Sequence, residues 1–398
     1  MSLTSKRAEA IDAYIKAHPS CKLPSKQAIE INGKLNFLDT YLLPIRDEEK
    51  KYFLLYNYYN RRFNIEIQEY EEKNHIKLDP LNNSDIKIIR TLLLQDKIEA
   101  DKLYNDLKQV NEQREVAVIT FEGVVINGNR RMATIEQLHE DIPSGKWNSL
   151  WVVRLPNDIT GKDLWKIEAG LQLSKNKVAD YGPVNNLLMI KEGKKAGLSE
   201  AEIAASMYGW DEDTVINDLK RLELIDAFLV FMNQSGNYGL IKKFQLSEHF
   251  KDIQEGLVKK MAKNGIKSKA ITDNLKKMFI FLRGRIVNES FGLTHYDVRT
   301  LCKILQDADA TFALMDNIGG EENKKDIPAA VLENNFDKAA DVLKNKSEKD
   351  KPIKLIEKAI TACRSIDRSG AHYKKEEVRA RLLELDGLIQ EMKKELGI

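Results

Sequence analysis

The stretch VAVITFEGVVINGNRRMATIEQL, Val116 to Leu138, decides how this chain is read. Val116, Val118 and Thr120 alternate with Ala117 and Ile119, the period of two that turns successive side chains to opposite faces of a strand. Glu122-Gly123 supplies a turn, and Val124 to Ile126 form a second short apolar strand. The period then changes, because Met132, Ile135 and Leu138 recur at helical spacing. Between strand and helix stands Asn127-Gly128-Asn129-Arg130-Arg131. Glycine reaches backbone angles closed to other residues. The first N–H groups of a helix attract anions, and two arginines there add planar donors that stay charged. The segment reads as strand, turn, strand, phosphate-cradling loop and helix. The same residues also fit a plain strand-to-helix turn whose arginines pair with carboxylates.

Around this stretch, 398 residues leave room for two or three domains, and 42% apolar residues are enough for packed cores rather than a disordered chain. Lys and Arg (63) nearly cancel Asp and Glu (61), so the net charge of +2 does not argue for nucleic acid, and any DNA contact must come from a local patch. Cys21, Cys302 and Cys363 lie far apart without metal-ligand spacing. They read as reduced thiols of a cytosolic protein, with no metal site. The start, MSLTSKRAEAIDAYIK, has no apolar signal core, and no run of 18 apolar residues predicts a membrane span.

Residues 1–75 read as a helical N-terminal extension. Ala8, Ile11, Tyr14 and Ile15 make one amphipathic stripe. A second helix is expected from Asp47 to Lys73, rich in tyrosine, with Arg61-Arg62 inside. That aromatic face either packs on the next domain or stacks on bases. Residues 76–160 form an α+β unit. It starts with a short strand over Ile76–Asn82, followed by helices over Ser84–Leu94 and Lys97–Gln109, the quoted stretch and a strand over Trp151–Leu155. Residues 161–230 turn helical, beginning with Leu164–Leu173. In the segment that follows, Lys175 and Lys177 can meet phosphate as point charges or stay solvated.

Ser199 with Glu202 is a capping box, and a helix to Met207, a turn at Tyr208-Gly209-Trp210 and a helix from Asp211 or Asp213 to Leu222 follow. Ala204 and Val215 are the small and branched residues that a helix-turn-helix packs closely. Its second helix would enter the major groove by its N-terminal face, with Thr214, Asn217, Lys220 and Arg221 as DNA contacts. Asp211, Glu212 and Asp213 oppose phosphates at the same end. Residues 231–398 read as a helical C-terminal domain, with helices over Leu240–Ala262, Lys267–Leu282 and Thr294–Leu305. Loops are expected at Gly284–Gly292 and Ile318–Asp326, and a charge run at Lys344–Lys351. His295, Asp297 and Arg299 read as surface and helix-start residues, and Cys302 as core. In the last helix Val378, Leu382, Leu385, Ile389, Met392 and Leu396 follow 4-3-4-3-4 spacing, an a/d seam. The seam predicts a homodimer through residues 376–398 or a helix folded back on its own chain.

The Asn127–Arg131 loop resembles the glycine-x-arginine-arginine box of the ParB/sulfiredoxin superfamily, in its variant ending (D/N)GNRR. Ile76–Asn82 is similar to the family's first box, and the helix-turn-helix follows where ParB proteins carry one. The resemblance spans residues 76–230. It implies an α+β fold, a small mixed-sheet ParB/sulfiredoxin-like domain embedded in a mainly α-helical chain. It also implies a DNA-binding protein of a bacterial cytoplasm, on a nucleoid, plasmid or phage. Gly128, Asn129, Arg130, Arg131, Lys175 and Lys177 would hold CTP or ATP with Mg2+. Two positions depart from the pattern. Ser174-Lys175-Asn176-Lys177 stands where ParB proteins have Glu-Asn-x-x-Arg, so the glutamate that helps hold the metal is missing. Asn129 stands where sulfiredoxin has its cysteine, so the loop lacks a thiol nucleophile. No catalytic residue is assigned. The alternatives on this scaffold are a nuclease or phosphotransferase, with Glu122, Glu136 and Asp158 gathering a divalent ion, and a non-catalytic scaffold or regulator.

Overall fold

The computed structural model describes residues 3–47, 49, 51–58, 64–143, 146–173, 182–207, 209–288, 290–318, 327–347, 352–370, 373 and 375–398. Lys175 and Lys177, Arg61-Arg62, Tyr208, residues 319–326 of the expected loop and residues 348–351 of the charge run lie outside the described residues. The chain divides into two units, Met1–Cys302 and Lys303–Ile398.

The first unit begins with α1 (Leu3–Ala17), β1 (Lys22–Ile31), β2 (Lys34–Pro44), β3 (Leu55–Tyr56), α2 (Asn64–Asn74), α3 (Asn83–Leu93) and α4 (Lys97–Val110). The quoted stretch follows as β4 (Ala117–Ile119), β5 (Val124–Asn127) and α5 (Asn129–Asp141), and then β6 (Ser149–Arg154). Six strands make one mixed sheet in the order β1-β2-β6-β4-β5-β3. β4 runs antiparallel to β5 and parallel to β6, so the quoted hairpin occupies the middle of the sheet. Its alternation sorts the side chains as expected. Ala117, Ile119, Val125 and Val152 face a core shared with α1, α3, α4 and α5. Val118, Ile126 and Val153 face the opposite side, with Ile167 of α6 (Gly161–Leu173). The chain is thus α+β, a small mixed sheet carried in a mainly helical protein.

Several expectations need correction. Residues 1–75 are not a helical extension, because β1, β2 and β3 supply half of the sheet. Asn32 (φ 50°) and Gly33 (φ 70°) make the left-handed hairpin turn that joins β1 to β2. The helix expected over Asp47–Lys73 is the shorter α2. Tyr52, Tyr56 and Tyr58 precede it and are buried in the sheet's core instead of forming an exposed stacking face. Ile76–Asn82 is no strand. Asp79 Oδ1 accepts from the Leu81 amide at 2.9 Å and Asn82 caps α3, so side chains satisfy this backbone locally.

Further along come α7 (Gly182–Lys195), α8 (Glu200–Ser206), α9 (Glu212–Phe231), α10 (Tyr238–Lys243), α11 (Ser247–Ile253), a π-helical turn (Gln254–Lys259), α12 (Lys260–Lys263), α13 (Ser268–Val287) and α14 (His295–Ile304). The single helix expected over Leu240–Ala262 is broken after α10, where Gln245 takes φ 52°. Helix α13 runs through Val287 into the expected Gly284–Gly292 loop, and α9 extends past Leu222 to Phe231. Phe228 on that extension packs against Phe250 and Phe279, whose burial explains why the helix continues. Cys302 is core, as expected, and burial pushes its thiol up to about 12. The second unit holds α15 (Ala308–Leu314), α16 (Ala329–Ser347), α17 (Pro352–Ser365) and α18 (Glu376–Leu396). No helix among the described residues is long and apolar enough to cross a membrane.

Candidate functional site

The Gly128–Arg131 turn forms part of the wall of a cleft of about 910 Å³. Around it stand α2, α4, the end of β5, the start of α5, Leu171 of α6 and α10. Gly128 makes the turn possible for two reasons. Its φ is +104°, and a Cβ there would lie 2.8 Å from the Cβ of Ala117 on the neighbouring strand. With glycine in place, β5 passes directly into α5. No side chain caps the helix, and the first amide to find an intrahelical acceptor is that of Met132, which donates to the Gly128 carbonyl at 2.8 Å. The amides of Asn129, Arg130 and Arg131 precede it at the positive end of the helix dipole.

The four residues of the box have different jobs. Asn129 is buried. Its Nδ2 donates to the Val125 carbonyl at 2.6 Å and its Oδ1 accepts from the Asn57 amide at 2.9 Å. Both ends of that side chain are consumed in tying the turn to β5 and to the chain after β3. The expectation that the Asn129 side chain holds phosphate is therefore corrected. Arg131 donates from Nη1 to the Glu115 carbonyl at 2.9 Å and pairs with the Glu115 carboxylate. Burial pulls its guanidinium below the ordinary value, and Glu115 offsets part of this. Arg131 thus matches the plain-turn reading, an arginine paired with a carboxylate. Arg130 does not. Its side chain is half-buried and lines the cleft, and its guanidinium has no hydrogen bond or ion pair among the described residues.

The cleft gathers further cations that sequence spacing does not connect to the box: Lys102 and Arg114 from the α4 side, and Lys242 and Lys243 from α10. Lys242 is held by Glu66 at 2.7 Å, Lys102 by Glu99 at 2.8 Å and Arg114 by Asp106 at 3.5 Å. Lys243 lies over the Phe244 ring at 5.4 Å. Asp96 caps α4 through the Glu99 amide. Glu69 packs its carboxylate against Gly239, and burial together with the neighbouring Glu66 holds its carboxyl above the usual range. Charges of both signs face one another in the cleft, and most of the cations are tethered by a carboxylate. An anion entering here meets the open helix end and Arg130 without first breaking an ion pair among the described residues.

The three carboxylates considered for metal chemistry are not brought together. Glu136 is buried on the far side of α5. Its Oε1 accepts from Arg46 Nε at 3.0 Å and Nη2 at 2.7 Å, and its Oε2 accepts from Tyr56 Oη at 2.5 Å and Tyr52 Oη at 3.3 Å. It is a structural tie between α5 and the β2–β3 region. Glu122 sits in the β4–β5 turn, and Asp158 is exposed after β6. No group of three or more His, Cys, Asp or Glu side chains forms a metal-holding cluster among the described residues.

Of the expected helix-turn-helix, the two helices α8 and α9 and their caps are present. Ser199 and Glu202 make both bonds of the capping box, and Asp211 caps α9 by accepting from the Thr214 amide at 2.8 Å. Ala204 and Val215 are buried in one core with Trp165, Met189 and Ile190. Only part of the expected DNA face is available. Thr214 Oγ1 donates to Asp211 at 2.5 Å, while Asn217 is half-buried and it is its backbone carbonyl, not its side chain, that accepts from Gln254. Arg221 is turned inward, with a side chain 15% exposed that pairs with Asp218 at 3.0 Å. This corrects Arg221 as a DNA contact, since Asp218 and its burial fix it against α9. Lys220 remains exposed. His295 lies 3.5 Å from Asp252, Arg299 Nε donates to Asp252 at 2.8 Å, and Asp297 caps α14 through Thr294. These are ties at a helix start.

Comparison with protein-family models, with curated proteins and with solved structures gives no match to this chain.

Proposed function

We propose that this protein binds a nucleotide whose phosphates rest on the Gly128–Arg131 turn, with CTP or ATP accompanied by Mg2+ as the ligands to test first. Arg130 carries the proposal: it is a half-buried guanidinium in a large cleft, beside an uncapped helix start, with no partner among the described residues. Leaving a charge half-desolvated has a cost that an incoming phosphate would offset through bidentate, charge-assisted hydrogen bonds. The backbone amides of Asn129 to Arg131 would add donors along the helix dipole. Lys102, Lys242 and Lys243 would supply counter-charge once a polyphosphate competes for them. The cleft volume, about 910 Å³, is in the range of small-molecule sites and has room for base and ribose beyond the phosphates. Magnesium would enter bound to the phosphates.

On this reading the protein is a nucleotide-dependent DNA binder of the ParB-like kind, with α8 and α9 offering Lys220 and the end of α9 to a duplex. The acidic start of α9 and the inward Arg221 favour a second reading, in which the nucleotide regulates a scaffold and duplex DNA is not engaged. Nucleotide titration of the wild type against Arg130→Ala tests the site. Filter binding of duplex DNA with Lys220→Ala separates the two readings: affinity falls under the first, and there is nothing to lose under the second.

A further inference from the structure

We propose that the end of the π-helical turn, α12 and the start of α13 form a basic surface that grips the phosphate backbone of a nucleic-acid duplex without reading its sequence. The inference does not depend on what the cleft binds, and it sets the contact apart from α8 and α9. Lys259–Lys277 holds seven lysines and one acidic residue, Asp273. Taken away from the chain's 63 basic and 61 acidic side chains, they leave a remainder that is net acidic by four. Charge that nearly cancels over the whole chain is therefore concentrated here. Lys260, Lys263, Lys267, Lys269 and Lys276 are exposed, and none makes an ion pair or a side-chain hydrogen bond among the described residues. The other two are engaged: Lys259 pairs with Glu255 at 2.6 Å, and Lys277 donates to Asn274 at 3.3 Å. Cations gathered without counter-charges attract a polyanion and release its condensed ions.

The backbone mounts these lysines on a helix, a turn and a second helix. The helical run that begins at Ser247 stops after Lys263, where the Gly265 amide donates to the Ala262 carbonyl at 3.0 Å and the Ile266 amide to the Met261 carbonyl at 3.1 Å. Gly265 takes φ +74°, the left-handed residue that such a stop needs. Helix α13 then starts at Ser268, and its Asn274 Nδ2 lies 3.6 Å from Met261 Sδ, which ties the two helices together. Along α13 Met278 is buried and Ile271, Asn274 and Leu275 are half-buried, while Lys269, Thr272, Asp273 and Lys276 are exposed. Such a unit lays the start of its second helix along a duplex, with basic and hydroxyl side chains on phosphates. Helix α9 offers the opposite charge at its start, Asp211, Glu212 and Asp213, and turns Arg221 inward. The Lys259–Lys277 segment contains no Phe, Tyr or Trp on which the bases of a single strand would stack. Ile266, 41% exposed, is its one large exposed apolar side chain, too little to enter a lipid surface.

Fluorescence anisotropy of the full chain with labelled, random-sequence duplex DNA and duplex RNA tests this. The wild type should bind, with log Kd rising against log salt at a slope of about four to five, close to one counterion per unpaired lysine. The duplex held more tightly names the source of the phosphates. A Lys263→Gln, Lys267→Gln, Lys269→Gln variant should bind roughly a hundredfold more weakly and lose about three from the salt slope. Its melting and its nucleotide titration should match the wild type, because these three lysines hold no other group. Lys220→Ala, measured beside it, scores the α9 surface separately. A triple variant that binds as the wild type does, or a loss confined to Lys220→Ala, would overturn the proposal. So would a wild type that binds neither duplex, holds single-stranded DNA as tightly as duplex, or binds phosphatidylserine vesicles in preference to both.

Discussion

Gly128 and Ala117 meet across β5 and β4 so closely that a Cβ on Gly128 would lie 2.8 Å from that of Ala117. The same glycine holds φ at +104°. Gly128→Ala therefore pays twice, in left-handed strain and in overpacking, and should cost about 2–4 kcal/mol of stability. Urea unfolding measures it; a loss under ~1 kcal/mol would mean that the strand and helix separate easily and the turn is not a fixed cradle.

Asn129 and Arg130 are neighbours with opposite roles, and two variants separate them. Asn129→Ala leaves the Asn57 amide and the Val125 carbonyl without their partner, and should lower stability by roughly 1–3 kcal/mol. Arg130→Ala breaks no hydrogen bond or ion pair among the described residues, so its melting should stay within about 0.5 kcal/mol of wild type while ligand binding falls. The reverse pattern would reassign the two residues.

Much of this architecture was legible in the chain. The period-two run at Val116–Thr120 and the helical spacing from Met132 placed the strands and α5, because their side chains face cores on definite sides. The β1–β2 hairpin also carried a signal, Asn32-Gly33, but lysines and Pro24 dilute the apolar alternation around it. β1 is an edge strand with an exposed face, and there the hydrophobic pattern is weakest. Within the site, glycine and arginine type pointed to the loop, but which arginine stays open did not follow from spacing. Arg131 is claimed by Glu115, and Asn129 by residues 57 and 125. Lys242 and Lys243 enter the cleft from more than a hundred residues away, so only folding brings them to the box.

Glu136 anchors a buried network with Arg46, Tyr52 and Tyr56. Glu136→Ala leaves the Arg46 guanidinium and two hydroxyls short of their acceptor, and should destabilise by about 3–5 kcal/mol. Calorimetric melting would show it. A stable Glu136→Ala protein that has lost a metal-dependent activity would restore the nuclease reading.

His249 is buried, its Nε2 placed 3.2 Å from the Leu293 carbonyl, with Asp252, Arg285 and His295 nearby. Burial holds its pKa below the ordinary value. The unfolded chain therefore takes up a proton at higher pH than the folded one, and stability is lost as pH falls below ~6.5 toward the folded value, by at most about 1.4 kcal/mol per unit. Stability curves at several pH values should show His249→Gln flattening this slope; an unchanged slope would assign it to other groups.

If the Gly128–Arg131 turn holds nucleotide, Arg130 is its open phosphate contact. Calorimetric titration with CTP, ATP and GTP in magnesium, on wild type and Arg130→Ala, tests it most directly. Micromolar binding of one nucleotide is expected, and it vanishes in Arg130→Ala while the fold persists. No binding of any of the three, or binding indifferent to Arg130, would contradict it.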